Sequence, residues 1–289
     1  VPRLKDLIQK ARSRLQQAGI EDFALNADLL LAKLLRIERG KLPLHWFEDC
    51  QAEIADALMN LVERRCLHEP LQYLLEEWAF LDFQVIVRPG VLIPRPETEE
   101  VYLALADMIK KAPFKDFFRF ADVCTGSGVL GLAIVRHFSG ATGFLTDISS
   151  DALAIAAENM SLQADSVRKR LELMQADLLA PFSHDSLDVV VANPPYIPGN
   201  EIPGLMPEVR EFEPHLALDG GNDGLDFIRR LLEQAQLCLK NNGLLAFEHG
   251  HGQRKDILAL LKKFPGFEII LTGDDLSSNE RFFILRERK

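Results

Sequence analysis

The sequence predicts an α/β protein in which a largely parallel sheet, covered by helices, follows a small helical bundle and a β-hairpin. Three observations predict it. Apolar residues recur at helical spacing through the first 70 positions, aromatic and β-branched residues then cluster, and from about residue 98 short apolar runs alternate with longer amphipathic ones. A chain of 289 residues can hold a small domain joined to a larger one.

Leu4, Leu7, Ile8, Ala11 and Leu15 fall on one helical stripe, Leu25, Leu29 and Leu30 mark a second helix, and Ile54, Leu58, Leu61 and Val62 a third. Pro43 punctuates a connection, and Pro70 is expected to end the last helix. Residues 1–70 therefore read as a helical domain, 71–97 as a hairpin and linker, and 98–289 as the sheet domain. The hairpin is expected over 78–87, before the Pro-rich segment 89–96. Strands are expected at 120–124, 143–146, 171–175, 187–192 and 244–248, with helices starting near Gly128, Ser150, Gly224 and Gln253. The segments 267–271 and 281–285 should pair as a closing antiparallel hairpin.

Hydrophobic content of 47% with 26% charge is that of a globular chain and excludes wholesale disorder. No apolar run reaches the length of a membrane span, and residues 1–10 lack the pattern of a secretory signal, so a cytoplasmic protein is expected. Cys50, Cys66, Cys124 and Cys238 are scattered, which suggests neither a zinc site nor a disulfide framework. A net charge of -10 disfavours stable nucleic-acid binding, which depends on phosphate neutralisation, and suits a basic protein partner.

Three segments carry chemistry. Asp122-Val123-Cys124-Thr125-Gly126-Ser127-Gly128 ends a strand and opens a helix, and its glycines allow backbone to approach a ligand. Dinucleotide sites, phosphate sites and plain tight turns share that pattern. Asp147 follows the next strand, where a carboxylate can accept both ribose hydroxyls; the same position also suits a helix cap. A nicotinamide nucleotide fits these two features as well as any other nucleoside.

The deciding segment is Asn193-Pro194-Pro195-Tyr196, directly after an apolar strand, where open α/β sheets bind ligands. The Asn193 side-chain carbonyl and the main-chain carbonyl beside Pro194 can both accept from a substrate NH2 group. Pro195 stiffens the loop, and Tyr196 offers a ring face to a planar group with its phenol free to bond elsewhere. Together the segments predict a nucleoside site beside an acceptor site for a planar amide or amine NH2 group.

This tetrapeptide resembles that of amino-methyltransferases acting on glutamine amides or on exocyclic base amines. The resemblance narrows with Glu69-Pro70-Leu71-Gln72-Tyr73, the stretch from Val91 through Ile93-Pro94-Arg95-Pro96-Glu97-Thr98-Glu99, and Glu213-Pro214-His215-Leu216-Ala217-Leu218-Asp219-Gly220-Gly221. In that order the four motifs, spanning about residues 69–250, resemble the peptide chain release factor glutamine methyltransferases, the HemK or PrmC family. The family implies a Rossmann-like class I methyltransferase sheet with a small N-terminal helical domain for substrate recognition. It implies methyl transfer from S-adenosylmethionine to the N5 amide nitrogen of the glutamine in the Gly-Gly-Gln motif of class 1 peptide chain release factors. DNA or RNA base methylation, N6-adenine included, is the alternative; it would call for a basic face or a target-recognition domain.

By the same resemblance, Cys124, Thr125, Gly126, Ser127 and Gly128 line the methionine part of the cofactor. Asp147 holds its ribose, Asp177 and Leu178 border its adenine, and Asn193 also touches it. Asn193, Pro194 and Tyr196 are then catalytic, and Asn193 to Tyr196 with Arg95 hold the substrate. Cys124 and Glu76 stand where the family usually has Gly, and the tail from Asp275 through Leu276 to Arg281 lacks the usual Gly-containing ending. No metal is expected. Glu97, Glu99 and Glu100 should begin a helix, His137 should sit near a helix C-terminus, and His249 and His251 should lie on a solvated loop.

Overall fold

The computed structural model describes residues 3–275 and 277–289. In chain order the helices are α1 (Leu4–Gln17), α2 (Phe23–Leu35), α3 (Leu42–His45), α4 (Ala52–Cys66), α5 (Leu71–Leu75) and α6 (Pro96–Lys111). They continue as α7 (Val129–His137), α8 (Ser150–Ser161), α9 (Asp165–Arg168), α10 (Pro207–Phe212), α11 (Asp226–Cys238) and α12 (Arg254–Leu261). The strands are β1 (Glu77–Phe80), β2 (Phe83–Ile86), β3 (Phe118–Val123), β4 (Ala141–Asp147), β5 (Leu171–Gln175), β6 (Leu187–Ala192), β7 (Leu239–Glu248), β8 (Phe267–Asp274) and β9 (Glu280–Glu287).

Two compact units result. The first is Val1–Trp78 together with Met206–Phe212. Its core is the stripe expected on α1, with Leu30 and Leu31 of α2 and Leu58 and Val62 of α4, all at most 5% exposed. A buried guanidinium crosses this unit: Arg65 donates to Asn26 Oδ1 at 2.8 Å and to Glu208 Oε1 of α10 at 2.5 Å. Pro70 does not end α4, which stops at Cys66; it precedes α5, where its fixed φ suits a helix start. At the far end of α5, Glu76 has φ +62, a left-handed C-cap that favours glycine.

The second unit, Ala79–Leu205 with Glu213–Lys289, carries the seven-stranded sheet in the order β5-β4-β3-β6-β7-β9-β8. The first five strands in that order run parallel, and β9 is antiparallel to both β7 and β8. Strand β6 is buried along its whole length, which explains its apolar sequence between two helical layers; its one charged residue, Asp188, is paired with Lys240. Strand β3 ends one residue earlier than its sequence suggests, because Cys124 has φ +55 and leaves the extended region. Strand β7 begins five residues early, through the polar Lys240-Asn241-Asn242, with a register shift against β6 between Leu187 and Val189.

Chain order sets the location of the site. From β3 the chain winds outward through β4 to β5, then crosses to the other side of β3 to make β6. The carboxyl ends of β3 and β6 are therefore neighbours at a reversal of winding, where connecting loops diverge and leave a crevice. Val123 pairs with Thr146 on one side and with Ala192 on the other. Register thus brings Cys124, Asp147 and Asn193, the next residues of the three strands, to one sheet edge.

Candidate active site

A cleft enclosing about 840 Å³, open solvent included, lies at this edge within the second unit. Cys124, Thr125, Gly126, Ser127, Asp147, Asn193 and Pro195 all line it. The 90–98 segment closes another wall through Gly90 to Leu92, Pro94 and Thr98, and Pro214 and Phe227 complete it.

The glycine turn and Asp147 form one hydrogen-bonded piece. Asp147 Oδ2 accepts from the Gly126 N–H at 2.9 Å and Oδ1 from the Ser149 N–H at 2.9 Å. The helix cap is Ser149, whose hydroxyl accepts from Ala152 N–H, so Asp147 is not held there as the cap. Burial raises its carboxyl above the ordinary range, opposed by N–H groups of Ser149, Gly126 and Ile148. Each oxygen accepts one of these bonds and retains lone-pair capacity beside the cleft. A Cβ at Gly126, φ +53, would meet nothing within 4 Å, so the turn leaves space over its backbone. Ile148, half exposed, adds an apolar surface next to the carboxylate. A carboxylate, an apolar face and an open glycine turn fit the ribose, adenine and methionine parts of S-adenosylmethionine.

Cys124 sits left-handed on the wall of the cleft, and its side chain packs against the hydrophobic core of the sheet. Burial pushes its thiol pKa up, so it remains a neutral, weakly polar wall. Behind the turn, buried Asp122 accepts from the Thr125 hydroxyl at 2.6 Å and the Gly131 N–H at 2.8 Å through one oxygen. Its carboxyl is raised to about 7 by burial.

The Asn193 loop is held from beneath. Asn193 Nδ2 donates to Thr98 Oγ1 at 3.1 Å, Thr98 Oγ1 donates to Glu248 Oε2 at 2.8 Å, and the Tyr196 hydroxyl donates to Glu248 Oε1 at 2.9 Å. Gln253 Nε2 donates to the Tyr196 carbonyl at 2.8 Å, and a Cβ at Gly224, φ +74, would stand 2.2 Å from that oxygen. Asn193 and Pro195 face the cleft, whereas Pro194 and Tyr196 are not among its lining residues. The phenol expected to bond elsewhere does so, with Glu248. The sequence assigns Thr98 no role within the Pro94-to-Glu99 stretch and does not single out Gln253; the one signal for Glu248 is a lone acid closing an apolar strand at the ligand edge of the sheet.

The remaining residues separate. Arg95 pairs with Glu213, whose other oxygen accepts from the Ile93 N–H at 3.2 Å, so it ties two motifs together outside the cleft wall. Asp177 is exposed and paired with Arg230 at 2.5 Å; Leu178 is buried with φ +52; neither lines the cleft. His249 is not solvated: it is 0% exposed beside Phe283, and burial lowers its pKa to about 4. His251 is exposed. Glu97 and Glu99 open α6 as expected, and Glu99 accepts from the Leu81 N–H at 2.9 Å. In the C-terminal tail, Leu276 lies outside the described residues, while Asp275 accepts from Arg281 at 2.9 Å.

Residues 6–75 match the family model described as PrmC N-terminal domain, and residues 102–206 match that of the methyltransferase small domain. A release factor glutamine methyltransferase of Caulobacter vibrioides is 36% identical over 94% of this chain and 92% of its own. One of Moorella thermoacetica is 35% identical over 99% of both chains. Among solved structures, a methyltransferase from Pyrococcus furiosus superposes with a TM-score of 0.52 at 15% identity, covering 73% of this chain and 92% of that one, a likeness of fold.

Proposed function

The chain belongs to the release factor glutamine methyltransferase family, and on that premise we propose a specific reaction for it. It transfers the methyl group of S-adenosylmethionine to the side-chain amide nitrogen, N5, of the glutamine in the Gly-Gly-Gln loop of class 1 peptide chain release factors. The observation that carries this reading is the seat of Asn193 on the same cleft wall as Asp147 and the Gly126 turn. A methyl-acceptor site and a nucleoside site adjoin there.

When bound, S-adenosylmethionine supplies a methyl group on a sulfonium, an electrophile whose departure leaves a neutral thioether. Asp147 would hold the ribose hydroxyls, Ile148 and Phe227 would border the adenine, and the turn from Cys124 to Gly128 would take the methionine part. The protein's task is the nucleophile. An amide nitrogen is weak because its lone pair is delocalised, so it must be aligned and its developing positive charge stabilised. Asn193 Nδ2 is engaged by Thr98, which leaves Oδ1 as the amide's acceptor for the substrate NH2 group. The Asn193 main-chain carbonyl would be a further acceptor. The methylated nitrogen then loses its proton to water and returns to a neutral amide, so no strong base is required.

We assign the protein to the cytoplasm, where this substrate is used; no helix among the described residues is long and apolar enough to cross a membrane. The test is to offer the purified protein labelled cofactor with intact release factor, duplex DNA and ribosomal RNA separately. Label in the release factor alone is expected. Label in nucleic acid and none in the factor would replace this reading with base methylation.

A further inference from the structure

We propose that Glu248 is a positioning residue for methyl transfer, acting through Thr98 to set which end of the Asn193 side-chain amide faces the substrate. The inference rests on the reading of Asn193 Oδ1 as the substrate's acceptor.

A side-chain amide has two ends of nearly equal size, and nothing in its own shape chooses between them. Thr98 makes the choice. Its hydroxyl has one proton, and Glu248 Oε2 takes it at 2.8 Å. Toward Asn193 the hydroxyl can then offer only a lone pair, so Asn193 must present its NH2 end, as it does at 3.1 Å. Oδ1 is thereby left for the cleft. Were the Thr98 proton directed at Asn193 instead, the amide would turn over and present NH2 to the substrate NH2, donor against donor.

Glu248 is suited to this control. It is 1% exposed, Thr98 is 3% exposed, and water cannot substitute for either partner. The carboxylate's other oxygen accepts from the Tyr196 hydroxyl at 2.9 Å, so both ends of the Asn193-to-Tyr196 loop are tied to one group. Burial raises the Tyr196 phenol's pKa, with the Glu248 charge and its hydrogen bond adding to the shift, so the phenol remains a donor. Burial also raises the Glu248 carboxyl, opposed by the hydrogen bonds from Thr98 and Tyr196 and by the Arg281 charge, which favour its ionised form. Glu248 closes β7 and Thr98 lies in the first turn of α6, two elements of the second unit's core, so the relay is carried on rigid scaffold rather than on the loop it controls.

The experiment compares Thr98→Val, Thr98→Ser and Asn193→Ala in the full chain, with intact release factor as substrate. Single-turnover methyl transfer, release-factor KM and cofactor affinity are measured for each. Val keeps the shape and removes the relay, whereas Ser restores the hydroxyl. Thr98→Val is expected to lower the transfer rate at saturation by about tenfold or more, with cofactor affinity within roughly twofold of wild type and Thr98→Ser near wild type. The double variant Thr98→Val/Asn193→Ala should be no slower than Asn193→Ala, because the relay acts only through that amide. Should Asn193→Ala be slow while Thr98→Val transfers at the wild-type rate, the relay is refuted and the acceptor reading stands. Wild-type transfer by Asn193→Ala would refute both. A Thr98→Val variant too unstable to assay is replaced by Glu248→Leu, which removes the acceptor that holds the Thr98 proton; wild-type transfer by that variant also overturns the proposal.

Discussion

The Asp147 carboxylate accepts the main-chain N–H of Gly126 at 2.9 Å, which makes the proposed ribose ligand a strut of the turn that faces it. Its other oxygen accepts from Ser149 N–H, so the carboxylate is oriented before any ligand arrives. Asp147→Ala should weaken binding of S-adenosylmethionine by about 1–3 kcal/mol, through loss of charge-assisted hydrogen bonds and of the strut. Calorimetry checks this directly. Unchanged affinity would confine Asp147 to a structural role.

Asp122 gives a stability prediction with a definite sign. Its carboxyl, raised to about 7 by burial, keeps a proton in the folded chain that an unfolded aspartate, near 3.9, has already released. The stability this contributes is fully present below about pH 4 and is lost as pH rises through 7. Asp122→Asn can still accept from Thr125 and Gly131 but carries no charge to desolvate. Stability of the variant minus wild type should therefore rise between about pH 4 and pH 7, by on the order of 2–4 kcal/mol, and then level off. His249, lowered to about 4, contributes a slope of opposite sign over nearly the same range in both proteins. Denaturant titrations across pH will show the difference; a flat difference would contradict the assignment.

Glu76 occupies a left-handed cap with φ +62, a conformation that costs a residue with a Cβ roughly 1–2 kcal/mol. Its pair with Lys33, at 2.8 Å, is on a carboxylate 71% exposed and contributes little. Glu76→Gly should therefore stabilise the chain by about 0.5–1 kcal/mol after the extra entropy of the unfolded glycine. Urea unfolding at neutral pH measures it, and a loss of stability would show that the Lys33 pair outweighs the backbone strain.

Much of this architecture was legible because periodicity and burial coincide. Strands β5 and β6 have the bounds their apolar runs suggest, and the α1 stripe is the stripe that is buried. That Cys124, Asp147 and Asn193 each follow a strand was legible as well, whereas the strand order that makes them neighbours is seen only in the structure. What was not legible depends on contacts between distant residues. A separation of 150 positions between Thr98 and Glu248 hides a bond that no local pattern encodes. His249 looked like a loop residue because it flanks Gly250, yet its main-chain N–H pairs with the Arg281 carbonyl at 2.8 Å and its ring is buried against Phe283. The left-handed backbone at Cys124 and Glu76 is invisible to side-chain periodicity.

The central claim is that this chain methylates a protein amide, and the most direct measurement is mass-spectrometric mapping of an intact class 1 release factor after reaction with S-adenosylmethionine. The account predicts one added methyl group, on the glutamine of the Gly-Gly-Gln loop, and its absence when Asn193→Ala replaces the wild-type enzyme. An unmodified glutamine in a reaction that methylates another residue or a nucleic acid would contradict it.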